Sequence, residues 1–170
     1  MRKALFIVIV AFAAFSVVPA TAANAGSGAR ASFEGHTIDL GRGWGEATAC
    51  AAIGDTTTCF RTEAAMRKWL AQTPPMSALM SGCYWSLTLH EHANYTGEVL
   101  YLAEQHVWIN LTGYGFNDKT SSYYIGGCDS IFVEHANGIG SWYPGDTTAW
   151  ASSAGMAPGW NDRISSVAIN

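Results

Sequence analysis

The sequence predicts an all-β domain made of two Greek-key motifs that form a sandwich, preceded by a small α+β segment with one helix. The first observation is an internal repeat. Leu89–Gly97 (LHEHANYTG) resembles Phe132–Gly140 (FVEHANGIG) at an offset of 43 residues, and Asn117–Ser122 (NDKTSS) resembles Asn161–Ser166 (NDRISS) at an offset of 44. Such a repeat marks a supersecondary unit that cannot bury its apolar face alone. Two copies therefore predict a closed pair of units.

The second observation is a series of short strands after Cys83. Runs rich in β-branched and aromatic residues are separated by Gly and Asn; they are 84–92, 98–102, 123–125, 129–134 and 165–169. No run after Pro75 has the helical period. We place hairpin turns at 94–97 and 137–140, where Gly97 and Gly140 are expected to supply a positive φ or a close backbone approach. These features assign residues 81–170 to the Greek-key domain.

The first 25 residues predict a secretory signal peptide. Arg2 and Lys3 precede an apolar stretch, 4–18, and small residues suited to cleavage follow it. We therefore expect a secreted protein whose mature form is not in a membrane. Without Arg2 and Lys3, seven basic residues face 13 acidic ones, which gives a net charge of −6. This charge, with no basic cluster, argues against nucleic-acid binding.

Residues 26–80 predict the small α+β segment and its linker. We expect 26–32, rich in Gly, Ser and Ala, to be mobile, and 33–60 to form two or three short strands. Residues 62–71 predict a helix that Thr62 caps and that the prolines after Thr73 end. Its apolar stripe is expected to pack against a sheet. Residues 72–82 are expected to link the segment to the repeats.

The four cysteines are Cys50, Cys59, Cys83 and Cys128. An even number after a signal peptide predicts two disulfides. Three pairings are possible, and we favour Cys50–Cys59 as a hairpin staple with Cys83–Cys128 inside the repeat domain. The spacing does not fit a zinc site, because no C-x-x-C unit is present. A zinc site at His90 and His92, which would share one face of a strand, is the weaker alternative to a surface role.

The two N-D-x-x-S-S motifs, each preceded by an E-H-A-N-x-x-G hairpin, resemble those of the βγ-crystallins, in particular the calcium-binding microbial branch. The family pattern is an aromatic residue, six others and Gly, followed by [N/D]-[N/D]-x-x-[S/T]-S. Both second motifs match it at every specified position. The hairpins depart from it, since His90 and Val133 stand where the family has an aromatic residue. The resemblance covers residues 83–170, about half of the chain.

This resemblance implies two calcium ions shared between the repeats. Calcium takes six to eight oxygen ligands. Each site is expected to combine a serine hydroxyl, a motif carbonyl, a carboxylate from the partner motif and a hairpin carbonyl. The hydroxyl is expected from Ser121 or Ser165, and the motif carbonyl from Lys119 or Arg163. The carboxylate is expected from Asp162 or Asp118, and the hairpin carbonyl from Glu91 or Glu134. The alternative is that N-D-x-x-S-S is only turn chemistry, since these side chains bond to nearby backbone.

We therefore predict a monomeric, non-enzymatic calcium-binding module. A second hypothesis is an inhibitor of secreted metalloproteinases on the same fold, with 103–114 or 141–159 as the inhibitory loop, and a third is a cell-surface or antimicrobial module. Aromatic residues in or beside loops are expected to pack in the core or to form a binding surface. They are Trp108, Tyr114, Trp142, Tyr143, Trp150 and Trp160.

Overall fold

The computed structural model describes residues 28–72, Cys83 and 86–170. The predicted signal peptide and most of the predicted linker lie outside these residues. In chain order the elements are β1 (Arg30–Phe33), β2 (His36–Asp39), β3 (Ala49–Ile53), β4 (Thr56–Phe60), α1 (Glu63–Gln72), β5 (Leu87–His92), β6 (Thr96–Leu102), β7 (Ile109–Asn110), β8 (Ser122–Ile125), β9 (Ser130–Val133), β10 (Ser152–Ser153) and β11 (Ser166–Ile169). The described chain is mostly β, as the sequence predicts.

The two repeats exchange strands, which closes the pair. The larger sheet has the order β10-β8-β5-β6-β3-β4-β1-β2, and the smaller one has the order β7-β11-β9. β7 of the first repeat pairs antiparallel with β11 of the second, and β10 of the second pairs antiparallel with β8 of the first. Each repeat thus contributes one short strand to the other repeat's sheet.

The core lies between these two sheets. Alternate residues of β5 and β6 point inward, among them Leu87, Leu89, Leu100 and Leu102, and all four are buried. They belong to one apolar cluster with Phe132, Val167 and Ile169 of the smaller sheet. The period of two in these strands puts the four leucines on one face, whereas Val99 and Tyr101 of β6 lie on the other face with α1.

The N-terminal segment continues the larger sheet. β3 runs parallel to β6, and β4, β1 and β2 follow outward. β1 begins at Arg30, so the expectation that 26–32 is mobile is wrong for 30–32. Ala31 is buried, and the Ala29 N–H donates to the Gly113 carbonyl at 2.6 Å. These tertiary contacts give a Gly- and Ala-rich stretch the order that its composition does not predict.

Helix α1 covers the outer face of this sheet near β3 and β6. The Ala65 N–H donates to Thr62 Oγ1 at 3.2 Å, which is the predicted cap. Met66 and Leu70 pack on Ala49 and Tyr101, so the apolar stripe meets a sheet as expected. No helix in the described ranges has the length and apolar character needed to cross a membrane.

Both favoured disulfides are present. Cys50 and Cys59 face each other across β3 and β4, where they tie the hairpin. Cys83 and Cys128 join the start of the repeat region to the segment between β8 and β9, across 45 residues of sequence. All four sulfur atoms are therefore oxidised, which excludes a free thiol nucleophile.

Candidate functional site

The two N-D-x-x-S-S loops lie against each other and exchange hydrogen bonds. The Asp118 N–H donates to the Ile164 carbonyl at 3.1 Å, and the Asp162 N–H donates to the Thr120 carbonyl at 3.2 Å. The side chains cross in the same way. Ser121 Oγ donates to Asp162 Oδ1 at 3.0 Å, and Ser165 Oγ donates to Asp118 Oδ1 at 3.1 Å. Each carboxylate thus contacts the first serine of the partner motif.

The asparagine of each motif holds the aspartate beside it. Asn117 Nδ2 donates to Asp118 Oδ2, and Asn161 Nδ2 donates to Asp162 Oδ2, both at 2.7 Å. Both aspartates have a φ of +54°, a left-handed conformation that Asn and Asp tolerate better than most residues. The aspartates are exposed, whereas Ser121 and Ser165 are buried. The carboxylate oxygens therefore lie at the surface end of each serine contact.

The second serine of each motif fastens a hairpin. Ser122 Oγ donates to the His92 carbonyl at 2.6 Å and accepts from the Tyr95 N–H at 3.0 Å. In the second repeat, Ser166 Oγ donates to the His135 carbonyl at 2.5 Å and accepts from the Gly138 N–H at 3.1 Å. These equivalent contacts bring each hairpin next to the motif of its own repeat.

Charged residues tie the hairpins to the motifs as well. In the first repeat Lys119 Nζ lies 3.0 Å from Glu98 and 3.5 Å from Glu91. Burial alone would lower the pKa of Lys119, but the hydrogen bond and charge of Glu98, with those of Glu91, outweigh it and raise this pKa. The lysine is thus held as a cation on its own hairpin.

Arg163 ties the hairpin of the second repeat to its motif, as Lys119 does in the first repeat. Its Nη2 lies 2.5 Å from Glu134 Oε1, and Glu134 Oε2 accepts from the Ser141 N–H at 3.3 Å. The Arg163 and Ser141 hydrogen bonds lower the pKa of Glu134 to about 2. The carboxylates of Glu91 and Glu134 thus bind cations and accept hydrogen bonds from hairpin N–H groups. Both carboxylates are therefore engaged, and the predicted use of the backbone carbonyls of these glutamates as ion ligands stays a prediction.

The place where the two N-D-x-x-S-S loops exchange hydrogen bonds, the crossing, offers oxygen atoms, which are hard donors. Among the described residues, the carbonyls of Lys119, Arg163 and Glu134 accept no backbone hydrogen bond. The same residues contain no cluster of three or more His, Cys, Asp and Glu side chains that could hold a metal. The predicted sites use one carboxylate each, with hydroxyl and carbonyl oxygens, so they do not depend on such a cluster. The donor set fits calcium, which prefers oxygen ligands.

The first hairpin replaces the family's aromatic residue with a histidine in an aromatic setting. His90 is fully buried, with its ring centroid 5.7 Å from those of Tyr95 and Tyr124. Neither ring nitrogen has a hydrogen-bond partner, and burial lowers its pKa. His92 is exposed, and the pairing register shifts between the two residues. The surface role expected for this pair is therefore wrong for His90, and a zinc site at the pair gains no support.

The second hairpin has Val133 in the equivalent position, and this side chain is also buried. Gly138 stands where the first repeat has Tyr95, and a Cβ there would collide with the Trp108 indole. Trp108 thus covers this hairpin from outside the motif, which a search along the motif alone does not find. Gly97 and Gly140 have φ of +82° and +101°, as predicted. A Cβ at Gly140 would lie 2.8 Å from the His135 ring.

The loop aromatics divide into two groups. Tyr143 and Trp160 pack together at 5.6 Å between ring centroids, and Trp44 stacks on Phe116 just before the first motif. Trp142 and Trp150 are exposed by 61% and 64%. Core packing is therefore confirmed for Tyr143 and Trp160, whereas a binding surface at Trp142 and Trp150 stays a prediction.

No protein-family model and no curated protein matches the chain. Solved structures do match it. A βγ-crystallin from Ciona intestinalis has 22% identity and a TM-score of 0.43, covering 49% of this chain and 98% of that one. A βγ-crystallin domain from Flavobacterium johnsoniae has 26% identity and a TM-score of 0.41, over 49% and 92%. One from Clostridium beijerinckii has 22% identity and a TM-score of 0.42, over 49% and 95%.

Proposed function

We propose that this chain is a secreted, non-enzymatic calcium-binding module of the βγ-crystallin type, stabilised by two ions shared between its repeats. The observation that carries the proposal is the reciprocal pair of contacts Ser121–Asp162 and Ser165–Asp118. A single N-D-x-x-S-S motif would be ordinary turn chemistry. Two equivalent crossings put a carboxylate from each repeat beside a hydroxyl of the other, and this favours a site that both repeats build.

One site would take Ser121 Oγ, the Asp162 side chain and the carbonyls of Lys119 and Glu91. The other would take Ser165 Oγ, the Asp118 side chain and the carbonyls of Arg163 and Glu134. A bound calcium ion would supply positive charge that draws these oxygens together. The chain's own part is to preform the crossing, through the two asparagines that hold the aspartates.

Charge balance around the crossing also favours a cation. Five carboxylates stand in the two motifs and their hairpins, against the two cations Lys119 and Arg163. They belong to Glu91, Glu98, Asp118, Glu134 and Asp162. Both cations are engaged by glutamates, so the aspartates have no cationic partner among the described residues. Since each site has a single formal charge, we expect modest affinity, about 10⁻⁴–10⁻³ M, as in extracellular calcium modules.

Terbium luminescence tests this proposal. Trp160 lies next to the second motif, with its ring 5.0 Å from the Arg163 guanidinium carbon, so it is placed to sensitise a lanthanide bound there. We expect sensitised emission that millimolar calcium removes. The Asp118→Asn/Asp162→Asn double variant should lack it. Emission from the double variant equal to that of the wild type, or none from the wild type, contradicts the proposal.

Inhibition of secreted metalloproteinases is the second candidate, because the loop 141–159 is held firmly. Thr147 Oγ1 donates to the Ser130 carbonyl at 2.6 Å, and the Ala149 N–H donates to Asp129 Oδ1 at 2.8 Å. Tyr143 Oη accepts from the Ala157 N–H at 3.0 Å. An inhibitory loop must keep its shape in a protease cleft, and these bonds are the clamp that the sequence does not reveal.

A thermolysin assay separates the two candidates. Inhibition at micromolar protein that is lost when 145–149 is replaced by Gly and Ser residues supports the inhibitor. No inhibition at that concentration removes this candidate and leaves the calcium proposal untouched.

A further inference from the structure

An open groove lies on the outer face of the larger sheet, away from the crossed motifs. Thr88 pairs with Tyr124, and Tyr124 pairs with Ser152, so the three side chains form one row on the same face. The row continues to Tyr101 of β6, where α1 covers it. The part that α1 leaves open is a groove of about 440 Å³, between Arg67 of the helix and Trp150 before β10. This volume is typical of ligand sites.

Trp150 combines an unusual backbone conformation with an exposed side chain. Its φ is +69°, a conformation that bulky side chains rarely adopt. Its N–H donates to the Gly126 carbonyl at 2.8 Å, and the next residue, Ala151, accepts from the Ile125 N–H at 2.8 Å. These bonds fix the backbone, but 64% of the side chain is exposed. The indole therefore contributes little to the core, and strained residues of this kind cluster at ligand sites.

The rest of the groove offers hydroxyl groups and one guanidinium group. Among the described residues, the hydroxyls of Thr88 and Ser152 have no hydrogen-bond partner in the protein, although both line the groove. Glu63 holds Arg67 by Nε at 2.7 Å and Nη2 at 2.5 Å, which leaves the Nη1 donors for a ligand. Tyr124 is 38% exposed, so it adds a second aromatic surface.

We propose that this groove binds a saccharide chain. Trp150 and Tyr124 offer aromatic surfaces to the apolar C–H faces of sugar rings, while Thr88, Ser152 and Arg67 offer hydrogen bonds to sugar hydroxyls. A peptide is the less suitable occupant. Peptides that add to sheets need an exposed strand edge, whereas this row lies on the face of the sheet. The groove is also separate from the crossed motifs, so the proposal does not rest on calcium.

Retention on insoluble polysaccharides tests this inference. The full secreted chain is incubated with cellulose, chitin and starch granules, with calcium and with EDTA, and the unbound fraction is measured. We expect retention on at least one of them, with an affinity that Trp150→Gly lowers at least tenfold. Glycine suits the positive φ at this position, so a loss of binding in this variant does not reflect lost folding.

Trp142→Ala is the matched control. Trp142 is exposed to a similar degree, 61%, but does not line the groove. Its replacement should change the affinity less than threefold. Retention on none of the three polysaccharides overturns the proposal. So does a Trp150→Gly variant whose affinity falls less than tenfold, or a Trp142→Ala variant that loses as much.

Discussion

Replacing Asp118 with Asn should remove about half of the stabilisation that calcium provides. The substitution keeps the shape of the side chain, and an amide oxygen can still accept from Ser165 Oγ, which lies 3.1 Å away. What it removes is the one carboxylate of that site. Asp162 and its contact with Ser121 stay in place, so the other site should survive.

The expected magnitude follows from linkage. A ligand at 100 times its dissociation constant stabilises a protein by about 2.7 kcal/mol per site. With an affinity of about 10⁻⁴ M, 10 mM calcium reaches that ratio. Two sites then give about 5 kcal/mol. At roughly 3 °C per kcal/mol for a domain of this size, the wild type should gain about 15 °C in Tm, and Asp118→Asn about half of that.

Differential scanning calorimetry in 10 mM calcium and in EDTA measures both gains. Asp55→Asn is the control, because Asp55 lies exposed in the turn between β3 and β4, far along the chain from both motifs. It should behave as the wild type in both buffers. The reasoning is refuted if Asp118→Asn gains as much from calcium as the wild type does, or if Asp55→Asn loses an equal share.

Three further predictions concern stability. Gly115→Ala should lower the free energy of unfolding in urea by about 1–3 kcal/mol more than Gly35→Ala does. Both glycines have positive φ, but only at Gly115 would a Cβ collide with backbone, at Leu40. Equal losses of stability would mean that the N-terminal segment does not press on this turn. Stability should fall as the pH drops from about 4.5 toward about 2, since the pKa of folded Glu134 is about 2 and its ordinary value is 4.5; acid titration of Glu134→Gln should show a smaller fall than that of the exposed Glu104→Gln. Removing the disulfide with Cys83→Ala/Cys128→Ala should lower the free energy of unfolding by about 4 kcal/mol, and Cys50→Ala/Cys59→Ala should lower it by about 3 kcal/mol. The closed loops span 45 and 9 residues, and the loss grows with loop length. The opposite order in urea unfolding would argue against a chain-entropy origin.

The crossing of the two motifs is expected from the resemblance to the βγ-crystallins, because Ser121 and Asp162 are 41 residues apart and no local pattern joins them. The sequence itself indicates two equivalent N-D-x-x-S-S turns, since that chemistry is local. The hairpin glycines follow for the same reason, since a positive φ is a local demand. The even number of cysteines predicts two disulfides but allows three pairings, and the pairing favoured from the places of the cysteines relative to strands and repeats is the one present.

Long-range packing could not be read in this way. Parallel pairing of β3 with β6 joins segments that are about fifty residues apart, and no local pattern specifies it. The hydrogen bond from Trp44 Nε1 to the Tyr114 carbonyl, 2.8 Å, is of the same kind. Likewise, His90 looks like a departure from the family in sequence, but Tyr95 and Tyr124 surround it with aromatic rings in the fold.

The clamp on the loop 141–159 also depends on distant partners. Its Gly, Ser and Ala content suggests a loose loop, whereas Asp129, just before β9, and the Ser130 carbonyl at the start of β9 hold it. Composition indicates the flexibility of an isolated segment, whereas these contacts come from the rest of the fold.

The stoichiometry of calcium binding tests the shared sites most directly. Isothermal titration calorimetry of the wild type, Asp118→Asn, Asp162→Asn and the double variant should give two, one, one and no ions bound per chain, because each aspartate serves one site that the other repeat completes. Two ions in either single variant, or none in the wild type, would contradict the account.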